Sequence, residues 1–194
     1  MSDPIIDLVV PTDADDSERT AAFDALFQHF HPRLVRFLSK TLHGTSIDPD
    51  DVAQETMVKA WTKRDQFDPR YQFSTWVYTI ARRTATDHLR KHNRDESSDQ
   101  LDTVARTDLS PEQSLISDEA TESVWSTAER ILPTRQYSVL WLRYGEEMSI
   151  KEVSRTLSMT NVTVRVLLHR ARAALQARME MEARKDESHG ELTS

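Results

Sequence analysis

The chain has 194 residues, 38% hydrophobic and 29% charged, which suffices for one ordinary domain or two small ones with modest cores. It contains no cysteine, so disulfides, thiolate catalysis and cysteine-ligated zinc are excluded, and its three glycines cannot spell either common glycine-rich phosphate cradle. The net charge of −7 is unevenly spread and says less than its distribution does.

Residues 1–20 hold six acids against one base and read as an acidic tail. No apolar run approaches the ~20 residues a membrane helix needs, and the acidic start lacks the pattern of a secretory signal. The expectation is a cytoplasmic protein without membrane insertion. Residues 21–94 form a first helical block. Phe23, Leu26, Phe27, Phe30, Leu34, Phe37 and Leu38 recur at helical spacing, and Pro32 predicts a kink or a break among them. Asp48-Pro49-Asp50-Asp51 is a helix start, with an N-cap, proline in the first turn and acids at the positive end of the dipole. Val52, Met57, Val58 and Trp61 follow on its apolar side. A loop over 65–73 leads to Ser74, read as the cap of a long helix whose inner face is Val77, Ile80, Ala81, Thr84 and His88.

Residues 95–120 are polar and acidic and read as a flexible linker, within which Ser110-Pro111-Glu112 has the form of a short helix start. Residues 121–182 form a second block, with helices predicted near 121–131, 135–145, 149–157 and 161–182. Ser149-Ile150-Lys151-Glu152 is a capping box. The short turn at Ser158-Met159-Thr160 gives helix–turn–helix spacing, with Ile150, Val153 and Leu157 set against Val164, Leu167, Leu168 and Ala171. Residues 183–194 read as a disordered tail. No alternating strand pattern of useful length occurs, so the predicted fold is all-α: two small helical domains on a flexible acidic linker.

Two stretches carry specific motifs. The first includes Asp50-Asp51-Val52-Ala53-Gln54-Glu55-Thr56-Met57-Val58-Lys59-Ala60-Trp61, Phe67-Asp68, Trp76-Val77-Tyr78-Thr79-Ile80-Ala81-Arg82 and Asp87-His88-Leu89-Arg90. The second includes Leu132-Pro133, Val139-Leu140-Trp141-Leu142-Arg143-Tyr144, Thr163-Val164-Arg165 and His169-Arg170-Ala171-Arg172-Ala173-Ala174-Leu175. In this order and spacing the chain resembles the sigma-70 family of bacterial transcription initiation factors, in its extracytoplasmic-function (ECF) group, with a sigma-2 domain over 21–94 and a sigma-4 domain over 121–182.

The resemblance implies a factor that binds core RNA polymerase through its β′ and β subunits and directs it to promoters. It implies no enzymatic activity and no cofactor. It assigns Asp51, Gln54, Glu55, Val58 and Trp61 to polymerase docking. It assigns Asp68, Arg70, Tyr71, Gln72, Ser74, Arg82, Arg83 and Arg90 to the −10 element, read as a melted strand. Thr160, Thr163, Arg165, Val166, His169, Arg170 and Arg172 fall to the −35 element, read as duplex in the major groove. An anti-sigma factor is the implied regulator, and a monomer is expected outside complexes. The acidic linker is either a bland tether or a segment threaded through polymerase.

Several residues admit a plainer reading. Asp51, Gln54 and Glu55 also suit a solvated helix face. Phe67 and Phe73 read as core, whereas Tyr71, Trp76 and Tyr78 are open between core packing and a base pocket. Arg165 suits a guanine edge or a phosphate equally. His88 and His92 stand one turn apart, but no third metal ligand is identifiable, so no metal site is assigned. No nucleophile–base–orienter set stands out. The chain also departs from the family, with Arg83 where many relatives carry Asn, Ser158 and Val162 where Gly is usual, and Val166 and Leu167 where small or basic residues stand. A rival reading is a one-component helix–turn–helix regulator whose first block is a helical sensor.

Overall fold

A computed structural model describes residues 15–68, 70–96 and 119–190, and all regular structure among them is helical. The chain divides into two compact units, the first built on the three N-terminal helices and the second holding most of the remaining four.

In the first unit α1 spans Asp16–Leu42, α2 Pro49–Thr62 and α3 Phe73–Glu96, with a short 3-10 turn at Arg64–Gln66 before α3. The first helix begins inside the segment read as tail, because Asp15 and Glu18 form a capping box: the Asp15 carboxylate accepts from the Glu18 N–H at 2.8 Å and the Glu18 carboxylate from the Asp15 N–H at 3.2 Å. Pro32 does not break this helix, which runs through it. Pro32 and Gln28, whose carbonyl loses its N–H partner, both lie on the exposed side, so that carbonyl is not stranded in the core. On the other side Leu26, Phe30, Leu34, Phe37, Leu38 and Leu42 are buried.

Asp48 caps α2, accepting from the Asp50 N–H at 2.9 Å, and Pro49 opens it. The buried stripe of α2 is Val52, Ala53, Thr56, Met57 and Ala60. Val58, one residue beyond the stripe, is turned out to 63% exposure, which corrects its placement on the apolar side. The buried Thr56 hydroxyl is satisfied by the Val52 carbonyl at 2.7 Å. The third helix starts one residue earlier than expected, so Ser74 lies inside its first turn and is not its cap. Val77, Tyr78, Ile80, Ala81, Thr84 and Ala85 are buried. Tyr78 is thereby a core residue, its ring edge-on to Phe37 at 5.2 Å. The three helices pack against one another, and each fully buried Leu or Phe stabilises the unit by about 1.5–3 kcal/mol.

In the second unit α4 spans Glu119–Ile131, α5 Thr134–Leu140, α6 Ile150–Leu157 and α7 Asn161–Gly190. The single helix expected over 135–145 is two pieces: α5 passes into a π turn, Trp141–Gly145, closed by the Glu146 N–H donating to the Trp141 carbonyl at 3.1 Å. A Cβ at Gly145 would lie 3.3 Å from the Trp141 ring, so a side chain there would crowd the indole. Trp125, Tyr137 and Trp141 cluster, with the two indoles 4.9 Å apart. Both α4 and α5 pack on α7. The Ser149 capping box forms: the Glu152 carboxylate accepts from the Ser149 N–H at 2.8 Å and from its hydroxyl at 2.6 Å.

The last helix continues to Gly190, so residues 183–190, expected to be disordered, are helical. Ala, Arg, Lys and Glu there are strong helix formers, and no proline intervenes. The tail before residue 15, linker residues 97–118 with Ser110-Pro111-Glu112, and residues 191–194 lie outside the described residues; the linker read over 95–120 is helical at both its ends.

Candidate polymerase and nucleic-acid interfaces

The outer face of α2 divides the expected docking residues into two groups. Asp51, Gln54 and Val58 are exposed. The Gln54 amide donates back one turn to the Asp50 carboxylate at 2.5 Å, which orients it along the helix. Glu55 is held on both oxygens: Oε1 lies 2.7 Å from Lys59 Nζ, and Oε2 lies 2.6 Å from His88 Nε2 on α3. Lys59, and after it His88, hold the Glu55 carboxyl below the usual carboxylate range. Lys59 also donates to the Thr84 hydroxyl at 3.3 Å. Trp61 is built into the unit, its ring 4.5 Å from Phe23 and 4.4 Å from the Arg64 guanidinium. Val52, fully buried, offers nothing to a partner.

The segment between α2 and α3 gathers aromatic side chains. Phe73 touches Phe30 at 5.2 Å, Phe67 at 5.6 Å and Trp76 at 5.5 Å, and Phe67 meets Trp76 at 5.3 Å. Tyr71 stands apart from this cluster and is 49% exposed. Asp68 and Arg70 hold each other. Asp68 Oδ1 accepts from the Arg70 N–H at 3.0 Å, and its two oxygens take the guanidinium at 2.9 and 2.6 Å. That bidentate pairing with Arg70 lowers the Asp68 pKa. Arg70 is thus a clasp on its own loop rather than a loose cation. Gln72 and Ser74 are half-buried at the start of α3, and further along it Arg82 is half-buried while Arg83 and Arg90 are exposed.

The histidine pair on α3 diverges: His88 meets Glu55, while His92 Nε2 lies 3.0 Å from the Ser46 hydroxyl. Among the described residues no cluster of three or more His, Asp or Glu side chains is placed to hold a metal ion.

In the second unit Ser158 adopts a left-handed φ of 54°, turning the chain between α6 and α7. Thr160 caps α7, its hydroxyl oxygen accepting from the Thr163 N–H at 3.1 Å and lying 2.8 Å from the Thr163 hydroxyl. Val153, Leu157, Val164, Leu168, Ala171 and Leu175 are buried, whereas Ile150 and Leu167 are half-buried. Arg165, Val166, His169, Arg170 and Arg172 are all exposed. Arg165, His169 and Arg172 follow one another at i, i+4 and i+7, one stripe along the helix. Among the described residues no hydrogen bond or ion pair engages these three or Arg170. Val162, 66% exposed, lies at the N-terminal end of the same side.

The signals for parts of this geometry were present in the sequence. Glu55 and Lys59 at i, i+4 predict their pairing. The His88 and Phe23 contacts join positions far apart in the chain, and no local pattern announces them. No described helix is long and apolar enough to cross a membrane.

Comparison with known proteins matches residues 26–95 to Sigma-70 region 2 and residues 130–175 to Sigma-70, region 4. The chain is 28% identical over 146 residues to the ECF RNA polymerase sigma factor SigW of Bacillus subtilis, covering 70% of this chain and 78% of that one. It is 40% identical over 85 residues to the ECF factor RpoE of Cereibacter sphaeroides, covering 43% and 46% of the two chains. Against the ECF sigma-E factor of Escherichia coli it is 26% identical over 190 residues, covering 93% and 97%. The fold is shared with the sigma factor RpoE of Bartonella quintana, solved with the anti-sigma factor NepR, at a TM-score of 0.59 and 24% identity over 81% of this chain and 96% of that one. It is shared also with CnrH, solved with the cytosolic domain of CnrY, at a TM-score of 0.52 and 22% identity over 91% and 96%. Since the first block matches sigma region 2, the reading of that block as a regulator's sensor is set aside. Two helical units whose sequences match regions 2 and 4 in the family's order place this chain in the sigma-70 family of RNA polymerase sigma factors, in its extracytoplasmic-function group.

Proposed function

We propose that this chain binds core RNA polymerase and directs it to promoters, reading the −35 element as duplex with α7 and the −10 element as melted strand with the α2–α3 segment and α3. The observation that carries the reading is the stripe of Arg165, His169 and Arg172, exposed and unpaired among the described residues, over the buried row of Val164, Leu168 and Ala171. A helix packed on one side and lined with exposed basic side chains on the other suits the major groove. Arg170 and Arg172 neutralise phosphate, which gives affinity, while Arg165 reads a base edge and Val166 contacts a thymine methyl. Thr160 and Thr163 present the positive end of the helix to phosphate.

In the first unit, residues 21–94, Asp51, Gln54, Glu55 and Val58 form the docking face for the β′ subunit, and Trp61 supports it from inside. Tyr71, exposed and outside the aromatic cluster, stacks on an extruded base. Gln72 and Ser74 contact the strand beside it, the Asp68–Arg70 clasp shapes the loop, and Arg82, Arg83 and Arg90 track its backbone. The acidic linker of residues 95–120 lets residues 121–182 reach the −35 element and the β subunit while the first unit stays docked, each contact raising the effective concentration of the other. The protein acts in the cytoplasm as a monomer outside its complexes, without catalysis or cofactor. An anti-sigma factor holds it inactive, as the Bartonella quintana RpoE–NepR complex supports.

The test is promoter-dependent transcription with purified core polymerase. Initiation from a cognate promoter, lost when either element is scrambled, is the expected result. Core binding without promoter-directed initiation would leave only an adaptor.

A further inference from the structure

His88, on α3, faces Glu55, one of the residues proposed to dock polymerase. Its Nε2 lies 2.6 Å from Glu55 Oε2, across the α2–α3 contact, and Lys59 closes on the other oxygen at 2.7 Å. The carboxylate keeps a side-chain exposure of 42%, so it is braced without being covered. Two ionised oxygens offer about four acceptor positions, and the brace occupies only some of them. Lys59 reaches α3 a second time at Thr84, 3.3 Å away and one turn before His88. From the docking helix, Glu55 faces His88; on its own helix the polar neighbours within one turn are Thr84, Asp87, Lys91 and His92, and His92 is turned to Ser46.

We infer that His88 is a positioning residue for polymerase docking: with Lys59 it fixes the Glu55 carboxylate in the direction in which a polymerase donor meets it, and so ties the docking helix to the DNA-facing helix. The inference rests on the docking role proposed for α2. A free Glu side chain loses its rotamer freedom when a partner binds; one already fixed by two donors has lost it on folding. The brace therefore acts on affinity through preorganisation, and its removal weakens docking about two- to tenfold.

The experiment titrates full-length wild type, Glu55→Gln, Asp51→Asn, His88→Ala, His88→Gln and the Glu55→Gln/His88→Ala double variant against purified core polymerase, with thermal unfolding recorded alongside. His88→Ala is expected to weaken binding two- to tenfold in the wild-type background and to add nothing when Glu55 is already Gln. His88→Gln, whose amide can donate to the same oxygen, recovers most of the affinity. Equal losses from His88→Ala in both backgrounds, or no loss in either, would overturn the positioning role while Glu55→Gln still binds weakly. If Glu55→Gln and Asp51→Asn both bind as wild type, the docking assignment of α2 falls, and this inference with it.

Discussion

The outer faces of α2 and α7 are both polar, yet they are built differently. On α2 most of the proposed docking side chains are committed within the fold: Glu55 to Lys59 and His88, Gln54 to Asp50, and Trp61 to Phe23 and Arg64. On α7 Arg165, His169, Arg170 and Arg172 extend into solvent without an ion pair among the described residues. The difference matches what each face is proposed to meet. A protein partner presents fixed donors and acceptors, so a rigid face minimises the ordering lost on binding. A duplex presents a continuous run of phosphates, which long mobile cations can follow without a preset geometry.

The contrast breaks first if the scaffold under the cations is removed. Leu168→Ala empties a buried position beneath the Arg165 stripe and is expected to destabilise the second unit by about 2–5 kcal/mol. Chemical denaturation followed by Trp125 and Trp141 fluorescence, with Trp61 and Trp76 replaced by Phe in both chains compared, measures it, and a change below ~1 kcal/mol would show that the stripe is not anchored there.

Base reading comes next. Arg165→Ala should cost about 1–3 kcal/mol at particular −35 base pairs and little elsewhere. Arg172→Ala should weaken all sites alike and reduce the salt slope by about 1. Binding to a panel of −35 variants at several salt concentrations separates the two. Equal losses from both variants across the panel would make the whole stripe a phosphate contact.

The cap of α7 is a smaller effect. Thr160→Ala removes the acceptor for the Thr163 N–H and should cost about 1 kcal/mol of unfolding free energy, whereas Thr160→Ser keeps it. An equal loss of DNA affinity in both variants would instead assign the Thr160 methyl to the interface.

The smallest effect lies on α2 and concerns pH. The folded-state pKa of Glu55 is depressed, first by Lys59 and then by His88. Its ion pairs therefore contribute stability above the ordinary carboxyl value of 4.5, and that contribution is lost as pH falls through the lower folded-state value. Because Glu55 is partly exposed, the contribution is expected to be at most ~1 kcal/mol. Wild type should exceed Glu55→Gln in stability at pH 7, and the two should converge in acid. A gap that persists unchanged at the lowest pH would show that the pairs do not stabilise the fold.

Much of this molecule is determined locally, and those parts are legible in the chain. The start of α2 follows from Asp48-Pro49, and that of α6 from Ser149 and Glu152, since capping uses side chains within three residues of the orphan N–H groups. The same logic applied to Asp15 and Glu18 would have placed the start of α1, and the spacing of Glu55 and Lys59 carries their pairing. The buried row of α7 follows from helical periodicity, and the family from motifs spread over both units. Other features needed the packed chain. Pro32 is tolerated because its side of α1 meets solvent while Phe30 and Leu34 anchor the other. Tyr78 is core and Tyr71 exposed, although both are tyrosines only seven residues apart. His88 reaches Glu55, and Phe23 reaches Trp61, across separations that no helical period spans. Periodicity and capping act within a turn or two of one helix, whereas these contacts exist only once hydrophobic burial has brought distant helices together.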